Sequence, residues 1–287
     1  MPPSLPPAHE LVLPGRGRTW VYDSGPPQAG GGPPLVLLHG WTSTAALNFY
    51  RCFPALTPRY RVVALDHRGH GRGVRSRLPF RLEDCADDVA ALIECLDLGP
   101  STVVGYSMGG PIAQLTWRRH PEAVAGLVLC ATAARFPIRR FNGAGGTAAA
   151  GLAATLSLIP QPVRRTGMAY ATARWSASGD AARWAAQEWG RHDPSALLQA
   201  GVAISRFDST PWLGAIDVPT AVVVTEHDRT VPPRRQRQLA DSVPGAVSFP
   251  VAADHRAVAH SPRAFLPALL EACASVQSRA AAEGVMG

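Results

Sequence analysis

Short apolar runs alternate with longer stretches of helical periodicity along most of this chain. Six of the runs predict strands, and their sequences are PLVLLHG, YRVVALD, STVVGYS, GLVLCAT, TAVVVTE and AVSFPVA. Strands that alternate with helices in this way are typical of βαβ units and a parallel sheet. We therefore predict an α/β fold in which a mostly parallel central sheet is flanked by helices.

The clearest helix is predicted between the second and third of these strands. Its apolar residues recur at helical spacing, and its acidic residues lie mostly on the opposite face. The apolar face consists of Leu82, Cys85, Val89, Leu92, Ile93 and Leu96. Gly99 and Pro100 follow directly, as is usual after the last turn of a helix.

The alternation stops after the fourth strand and resumes with the fifth. Between residues 135 and 211 we find no convincing strand, only segments rich in Ala, Arg and Trp. Asp193 before Pro194 predicts a helix start, because aspartate caps helices and proline suits the first turn. We predict a helical cap over residues 135–211, inserted into a core formed by residues 1–134 and 212–287.

Composition narrows the class of protein. A chain of 287 residues can bury a substantial core and lies near the upper limit for one cooperative domain. The formal charge is +7, but all 28 basic residues are arginine, and they are dispersed without interleaved aromatic residues. Nucleic-acid binding favours a concentrated basic face. We therefore expect no nucleic-acid partner.

The cysteines and the apolar runs bear on the cellular setting. The five cysteines form no C-x-x-C pair and no cluster with histidines, so neither a zinc site nor a disulfide framework is predicted. Cys85 and Cys130 are expected to be buried as small apolar residues. We find no apolar leader and no run long enough to span a membrane. We expect a cytoplasmic protein without stable membrane insertion.

The sequence GYSMGG, residues 105–110, places a serine between glycines directly after the third strand. It fits G-x-S-x-G, which between a strand and a helix forms a tight turn that exposes a nucleophile. The same residue types occur in ordinary turns, so the motif alone does not establish a function. Here a strand precedes it and a helix up to about Pro121 follows, which is the context that the motif requires.

A serine hydroxyl is a weak nucleophile that needs a base and a group to orient the base. In an α/β arrangement both follow the serine along the chain, each at the carboxyl end of a strand. Asp228 follows the fifth strand and His255 follows the sixth. Because the carboxyl ends of parallel strands meet at one edge of the sheet, we predict that Ser107, Asp228 and His255 converge.

Along nearly its whole length, the chain resembles the α/β-hydrolase family. The matching sequences, in the family's order, are LVLLHGW, VVALDHRGHGRG, GYSMGG, TEHDRTVP and ADHRAVAHSP. The resemblance implies that Ser107 is the nucleophile, His255 the general base and Asp228 the residue that orients the imidazole. It also implies an oxyanion hole formed by the backbone N–H groups of Met108 and Trp41, and no cofactor.

Other assignments stay open at this stage. Glu226 is an alternative to Asp228, although it lies nearer the strand, and His260 is an alternative to His255, although HSP is typical of a helix cap. His39 is expected to shape the oxyanion loop rather than transfer protons.

His67 and His70 accompany Asp66 in DHRGHGRG, a combination that could suggest a metal site. In the family that the chain resembles, this segment is a glycine-rich structural loop. We therefore expect no metal.

The resemblance implies a serine hydrolase that cleaves a carboxylic ester, lactone or thioester, so the expected partner is a small ester-like molecule. Trp41 and Tyr106 are expected to bind the substrate because they lie near the reaction centre in sequence. A hydrophobic acyl or alcohol part could meet apolar residues of the cap. The candidates there are Met168, Tyr170, Trp175, Trp184 and Trp189.

Other activities are compatible with the same three residues. They are cofactor-free perhydrolase or haloperoxidase activity, cleavage of carbon–carbon bonds, and acyl transfer. A protein that binds a ligand without catalysis is the alternative of a different class. A serine rather than an aspartate at position 107 argues against dehalogenases and epoxide hydrolases of the same family.

Overall fold

The computed structural model describes residues 3–27, 32–136, 141, 143–173, 179–282 and 284. This part of the chain forms one sheet of eight strands in the order β1-β2-β4-β3-β5-β6-β7-β8. The strands are Ala8–Leu13 (β1), Gly17–Asp23 (β2), Gly32–Leu38 (β3), Tyr60–Leu65 (β4), Ser101–Tyr106 (β5), Val124–Cys130 (β6), Thr220–Thr225 (β7) and Val247–Val251 (β8). Strands β3 to β8 pair in parallel, whereas β2 pairs antiparallel with both β1 and β4. The predicted α/β class with a mostly parallel sheet is confirmed.

The six predicted strands correspond to β3 through β8, and the hairpin of β1 and β2 was not predicted. Its residues follow a proline-rich stretch, and the turn at Pro14 and Gly15 divides the segment into two short strands. Leu13, Thr19 and Val21 are buried, whereas Val12, Arg18 and Trp20 are more exposed, and only Tyr22 after Val21 breaks the alternation. That period of two was the available signal for a half-buried hairpin.

Eleven α-helices accompany the strands in the described ranges. They are Ala45–Phe49 (α1), Phe53–Leu56 (α2), Leu82–Cys95 (α3), Gly109–Arg119 (α4), Ala144–Ser157 (α5), Gln161–Ala173 (α6), Asp180–Trp189 (α7), Pro194–Arg206 (α8), Pro233–Ser242 (α9), Ala257–His260 (α10) and Pro262–Ala282 (α11). Helix α3 is the one predicted most clearly from periodicity, and its predicted apolar face is buried apart from its last residue, Leu96, which is only partly buried.

The core consists of two apolar clusters, one on each face of the sheet. Successive strand residues point to opposite faces, so Val36 and Leu38 of β3 join one cluster and Leu35 and Leu37 join the other. Helices α3, α4 and α9 contribute to the first cluster, and α1, α2 and α11 to the second. The sheet is therefore covered on both faces, as parallel sheets usually are.

Helices α5 to α8 lie between β6 and β7 in the sequence, and we refer to them as the inserted helices. Helix α5 packs against α8, and α6 packs against α7. Asp193 caps α8, because its carboxylate accepts a hydrogen bond from the Ser195 backbone N–H at 3.0 Å, and Pro194 is the first helical residue, as predicted.

All five cysteines are free, and Cys85 and Cys130 are buried, as predicted. Within the described ranges, no helix is both long enough and apolar enough to cross a bilayer.

Candidate active site

Ser107 lies in a tight turn between β5 and α4. Its φ of 53° falls in the left-handed region, which is uncommon for a residue other than glycine. Glycines on both sides make the turn possible: a Cβ on Gly105 would lie 2.3 Å from the Gly109 carbonyl oxygen, and one on Gly109 would lie 2.1 Å from that of Leu38. The glycines of the motif are therefore required by the close passage of α4 beside the sheet.

Hydrogen bonds from the neighbouring strand hold this unusual conformation. The Ser107 N–H donates to the Cys130 carbonyl oxygen at 2.9 Å, and the Thr132 hydroxyl donates to the Ser107 carbonyl oxygen at 2.8 Å. A strained residue persists only where its surroundings over-determine it. The end of β6 thus fixes the direction of the serine side chain.

The structure brings Ser107, His255 and Asp228 together at the carboxyl edge of the sheet. Ser107 Oγ lies 3.0 Å from His255 Nε2, and His255 Nδ1 lies 2.7 Å from Asp228 Oδ2. An ionised carboxylate only accepts hydrogen bonds, so the proton of the neutral imidazole belongs on Nδ1. The lone pair of Nε2 then faces the serine hydroxyl, which is the arrangement that a general base needs.

The carboxylate of Asp228 is fully buried and is satisfied by its own loop. Its Oδ1 accepts the backbone N–H groups of Thr230 and Val231, each at 2.8 Å. Its Oδ2 accepts the Thr225 hydroxyl at 2.9 Å and the Gln236 amide at 3.3 Å, besides the imidazole. A buried charge is tolerated when it is hydrogen-bonded in this way, and the bonds also fix its orientation.

Tyr106 does not lie where we expected it. The side chain is 3 % exposed and packs in the second apolar cluster with Val104, two residues earlier on the same face of β5. Its hydroxyl donates to the carbonyl oxygen of His255 at 2.8 Å. Strand alternation turns it away from the serine, so Tyr106 supports the loop of His255 instead of presenting a surface to substrate.

The loop after β3 approaches the serine closely. A Cβ on Gly40 would lie 3.3 Å from that of Ser107. The Gly40 N–H donates to Asn48 Oδ1 at 3.0 Å, and its carbonyl oxygen lies 2.8 Å from His39 Nδ1. The Gly40 carbonyl and the Trp41 N–H belong to the same trans peptide group, so they point in opposite directions. A contact that holds the carbonyl therefore also fixes the direction of the N–H.

His39 is suited to this positioning role and not to proton transfer. Its Nε2 accepts the His67 backbone N–H at 3.0 Å, so the proton belongs on Nδ1, facing Gly40. Burial lowers the pKa of His39 to about 4, so the ring is neutral near pH 7. The other expected oxyanion donor, the Met108 N–H, lies at the start of α4, where backbone N–H groups point out of the helix.

The side chain of Trp41 joins this loop to the inserted helices. Its indole Nε1 donates to the Leu197 carbonyl oxygen at 2.9 Å, and its ring meets the edge of Phe141 with centroids 5.6 Å apart. Phe141 was not singled out from the sequence. Trp41 therefore occupies the boundary between the catalytic edge and α8.

The alternative acid and base lie elsewhere. Glu226 pairs with Arg237, whereas Asp228 contacts the imidazole of His255. His260 is exposed on α10 and lies 2.8 Å from Arg256.

The residues considered for a metal have structural contacts. Asp66 accepts the backbone N–H groups of Ala45 and Arg72, each at 2.8 Å. His67 and His70 are buried beside His39, with ring centroids 4.3 and 5.4 Å from it. In the ranges that the structure describes, no three His, Cys, Asp or Glu side chains are placed to hold a metal ion.

His192, which precedes α8, completes this group of buried rings. Its centroid lies 5.4 Å from that of His70, and its Nδ1 accepts the Gly71 N–H at 3.0 Å. We call His39, His67, His70 and His192 the histidine cluster. Burial is the main reason that the pKa of each of them is lowered.

The apolar residues expected to form a substrate wall are dispersed. Trp184 packs on Tyr50 with centroids 5.6 Å apart, and Trp189 packs on His192 at 5.9 Å. Met168 is half-buried and Tyr170 is 65 % exposed. Trp175 lies outside the described residues.

The chain is similar to known proteins in sequence and in fold. Residues 33–164 match the model of a family described as the alpha/beta hydrolase fold. A pimeloyl-[acyl-carrier protein] methyl ester esterase of Chromobacterium violaceum is 32% identical over 248 residues, which cover 84% of this chain and 94% of the esterase. A hydrolase from Pseudomonas aeruginosa superposes with a TM-score of 0.73 at 22% identity, covering 93% of this chain and 98% of that one. A bromoperoxidase from Bacillus anthracis gives a TM-score of 0.71 at 20% identity, covering 93% and 100%.

Proposed function

Since the chain belongs to the α/β-hydrolase family, we propose that it is a serine hydrolase that cleaves a carboxylic ester through an acyl-enzyme. The observation that carries the proposal is the hydrogen-bonded series from Ser107 Oγ through the imidazole of His255 to the carboxylate of Asp228. A serine, a base and a group that orients the base are the parts that nucleophilic acyl transfer needs.

The first half of the reaction acylates the serine. Ser107 Oγ attacks the ester carbonyl carbon while His255 Nε2 takes the hydroxyl proton. The imidazolium is stabilised by the carboxylate of Asp228. As the tetrahedral intermediate collapses, His255 gives the proton to the leaving alcohol, and the acyl group stays on the serine.

The second half returns the free enzyme. A water molecule gives a proton to His255 Nε2 and attacks the acyl carbon, after which Ser107 leaves and regains its proton. In both halves the negative oxygen would accept hydrogen bonds from the N–H groups of Met108 and Trp41. Each such donor typically contributes about two to three orders of magnitude in rate.

The substrate class follows from these parts and from the esterase relative. That relative acts, by its name, on a methyl ester of an acyl group carried by a protein. We propose a carboxylic ester with a hydrophobic acyl or alcohol part for this chain. Lactones and thioesters present the same carbonyl to the serine and belong to the same proposal.

Labelling with a fluorophosphonate probe tests the nucleophile directly. The wild-type protein should be modified at Ser107, and Ser107→Ala should not react. Ser278→Ala, which removes an exposed serine of α11, is the matched control and should be labelled like the wild type. Equal labelling of Ser107→Ala and the wild type would contradict the assignment.

A panel of p-nitrophenyl esters of increasing acyl length tests the activity. We expect turnover with a chain-length optimum, because the acyl part must fit beside Trp41. Failure to turn over any ester despite labelling of Ser107 would favour one of the other activities of this triad. Oxidation of a halide in the presence of acetate and hydrogen peroxide would identify perhydrolase activity, and absence of both label and turnover would favour a non-catalytic binding protein.

A further inference from the structure

A cavity lies apart from the catalytic residues. Its volume is about 620 Å³, and it is lined by the loop after β4, the turn between α5 and α6, and the first turns of α8. Ser107, Asp228 and His255 do not line it. Its charged lining residues are Arg68, Arg75, Arg77, Arg164 and Asp193, and we call it the arginine cavity.

Two of the four arginines already have a carboxylate partner. Arg68 donates to both oxygens of Asp88 at 2.7 Å, and Arg164 donates to both oxygens of Asp193 at 3.0 and 2.6 Å. Asp193 also accepts the Ser195 N–H, so the single carboxylate of the lining is occupied by its neighbours.

The other two arginines form no ion pair in the described part of the chain, although the charges of Asp193 and Asp66 act on Arg75 from beyond ion-pair distance. Among the described residues, Arg75 has no carboxylate within ion-pair distance; it donates to the carbonyl oxygens of Gly71 and Arg191, and its Nη1 is buried without a hydrogen-bond partner. Burial first, and then the charge of Arg165, lower the pKa of Arg75 to about 10. Arg77 is exposed, and the described part of the chain gives it no hydrogen bond or ion pair.

Apolar side chains line the same cavity and are poorly covered. Leu78 is 73 % exposed and Leu158 is 84 % exposed, while Ile159 is 39 % exposed. Phe80 contributes a further apolar side chain to the lining. Large apolar groups gain free energy when they are removed from water, about 25 cal/mol per Å². An occupant with its own apolar surface would provide this burial.

We propose that the arginine cavity binds a small organic anion in which an apolar body carries a phosphate or carboxylate group. The anionic group would accept hydrogen bonds from Arg75 and Arg77, whose planar donors suit both groups. The apolar body would cover Leu78, Leu158 and Ile159. The volume lies within the usual range for small-molecule sites. This site is independent of the serine chemistry proposed above.

Isothermal titration with phenyl phosphate and with benzoate tests the proposal and distinguishes the two anionic groups. Phenol and inorganic phosphate, each carrying half of the proposed ligand, should bind more weakly than either. Arg77→Gln should weaken binding about 10-fold, the usual effect of losing one charged hydrogen bond. Arg75→Gln should weaken it further. Arg59→Gln, an exposed arginine at the amino end of β4, is the matched control and should bind like the wild type.

Arg77→Gln decides the test if Arg75→Gln does not fold, because Arg77 is exposed and its replacement leaves the core intact. Unchanged affinity in Arg77→Gln would overturn the proposal, as would phenol binding as tightly as phenyl phosphate. Absence of binding at about 1 mM probe would do the same. Binding that persists in Arg77→Gln but is lost after fluorophosphonate labelling would place the anion at Ser107 instead.

Discussion

Acid should destabilise this protein through the histidine cluster. The four rings are buried, and His67, His70 and His192 each have at least one ring nitrogen without a hydrogen-bond partner in the described residues. Burial lowers the pKa of His39 to about 4 and that of His70 to about 3, so both rings are neutral in the folded protein at pH 5. In the unfolded chain a histidine takes up its proton near pH 6.5. Below that pH the unfolded state binds more protons, and the free energy of unfolding must fall.

The size of the effect follows from these values. One pKa unit corresponds to about 1.4 kcal/mol. His39 and His70 should therefore each lower the free energy of unfolding by about 3 kcal/mol between pH 6.5 and pH 4. His67 and His192 act in the same direction. Domains are typically stable by about 5–15 kcal/mol, so most of the stability would be lost above pH 4.

Carboxylates modify this balance in two ways. Burial raises the pKa of Asp66 and of Glu188, so their protonation as the pH falls stabilises the folded state and offsets part of the loss. Asp23, Asp87 and Asp193 have lowered pKa values. Their contribution to stability is present above about pH 4 and is lost only below it. The interval between pH 6.5 and pH 4 therefore reports on the histidines and on the opposing contribution of Asp66 and Glu188, and a histidine variant separates the two.

Urea unfolding at several pH values between 7 and 4 measures the effect. We expect His70→Gln to reduce the slope of the free energy of unfolding against pH by about one proton, or about 1.4 kcal/mol per pH unit. His9→Gln, the same change at an exposed histidine of β1, serves as the control and should keep the wild-type slope. An unchanged slope in His70→Gln would refute the reasoning.

Three further predictions concern the candidate active site. Ser107→Ala and His255→Ala should each lower kcat for a p-nitrophenyl ester by about 10⁴-fold or more, and the double variant should be scarcely worse, because both act in one step; near-additive losses would contradict a shared step. Gln236→Ala should lower kcat about 10-fold with KM nearly unchanged, since Gln236 holds Asp228. Gln238→Ala, on the exposed side of α9, is the control and should leave kcat unchanged. Asn48→Ala frees the Gly40 N–H and should reduce kcat about 10- to 100-fold, as measured with the same esters; equal loss of stability and activity would show a merely structural role.

The sequence predicts the sheet well because burial there is periodic and local. Each of β3 to β8 is an apolar run bounded by turn residues, and the position of Ser107, Asp228 and His255 after such runs is visible in the chain itself. What brings the three side chains to hydrogen-bond distance is the parallel order of the strands, which βαβ alternation already implies. The distances between them, however, were not deducible from spacing.

Contacts between distant polar residues could not be predicted in the same way. Gln236 supports Asp228 from the second turn of α9, and nothing in PRRQRQLADS distinguishes it from Gln238 except the helical face on which it lies. His192 meets the loop after β4 across more than 120 residues of chain. Tyr106 was misplaced for a related reason, because proximity in sequence to a serine says nothing about which face of the strand a side chain occupies.

These same polar contacts attach the inserted helices to the catalytic edge. The Asp193 N–H donates to the Gly69 carbonyl oxygen, the Gly71 N–H donates to His192, and Trp41 donates to Leu197. The loop after β4 holds His39 through the His67 N–H, and His39 in turn orients the Gly40 peptide. This loop is thus fixed partly by α8 and the residues before it. A shift of the inserted helices would therefore change the direction of the Trp41 N–H as well as the shape of the cleft, because both depend on the same few hydrogen bonds. In the proposed mechanism the Trp41 N–H binds the negative oxygen, so we expect substitutions at this junction to alter kcat together with KM.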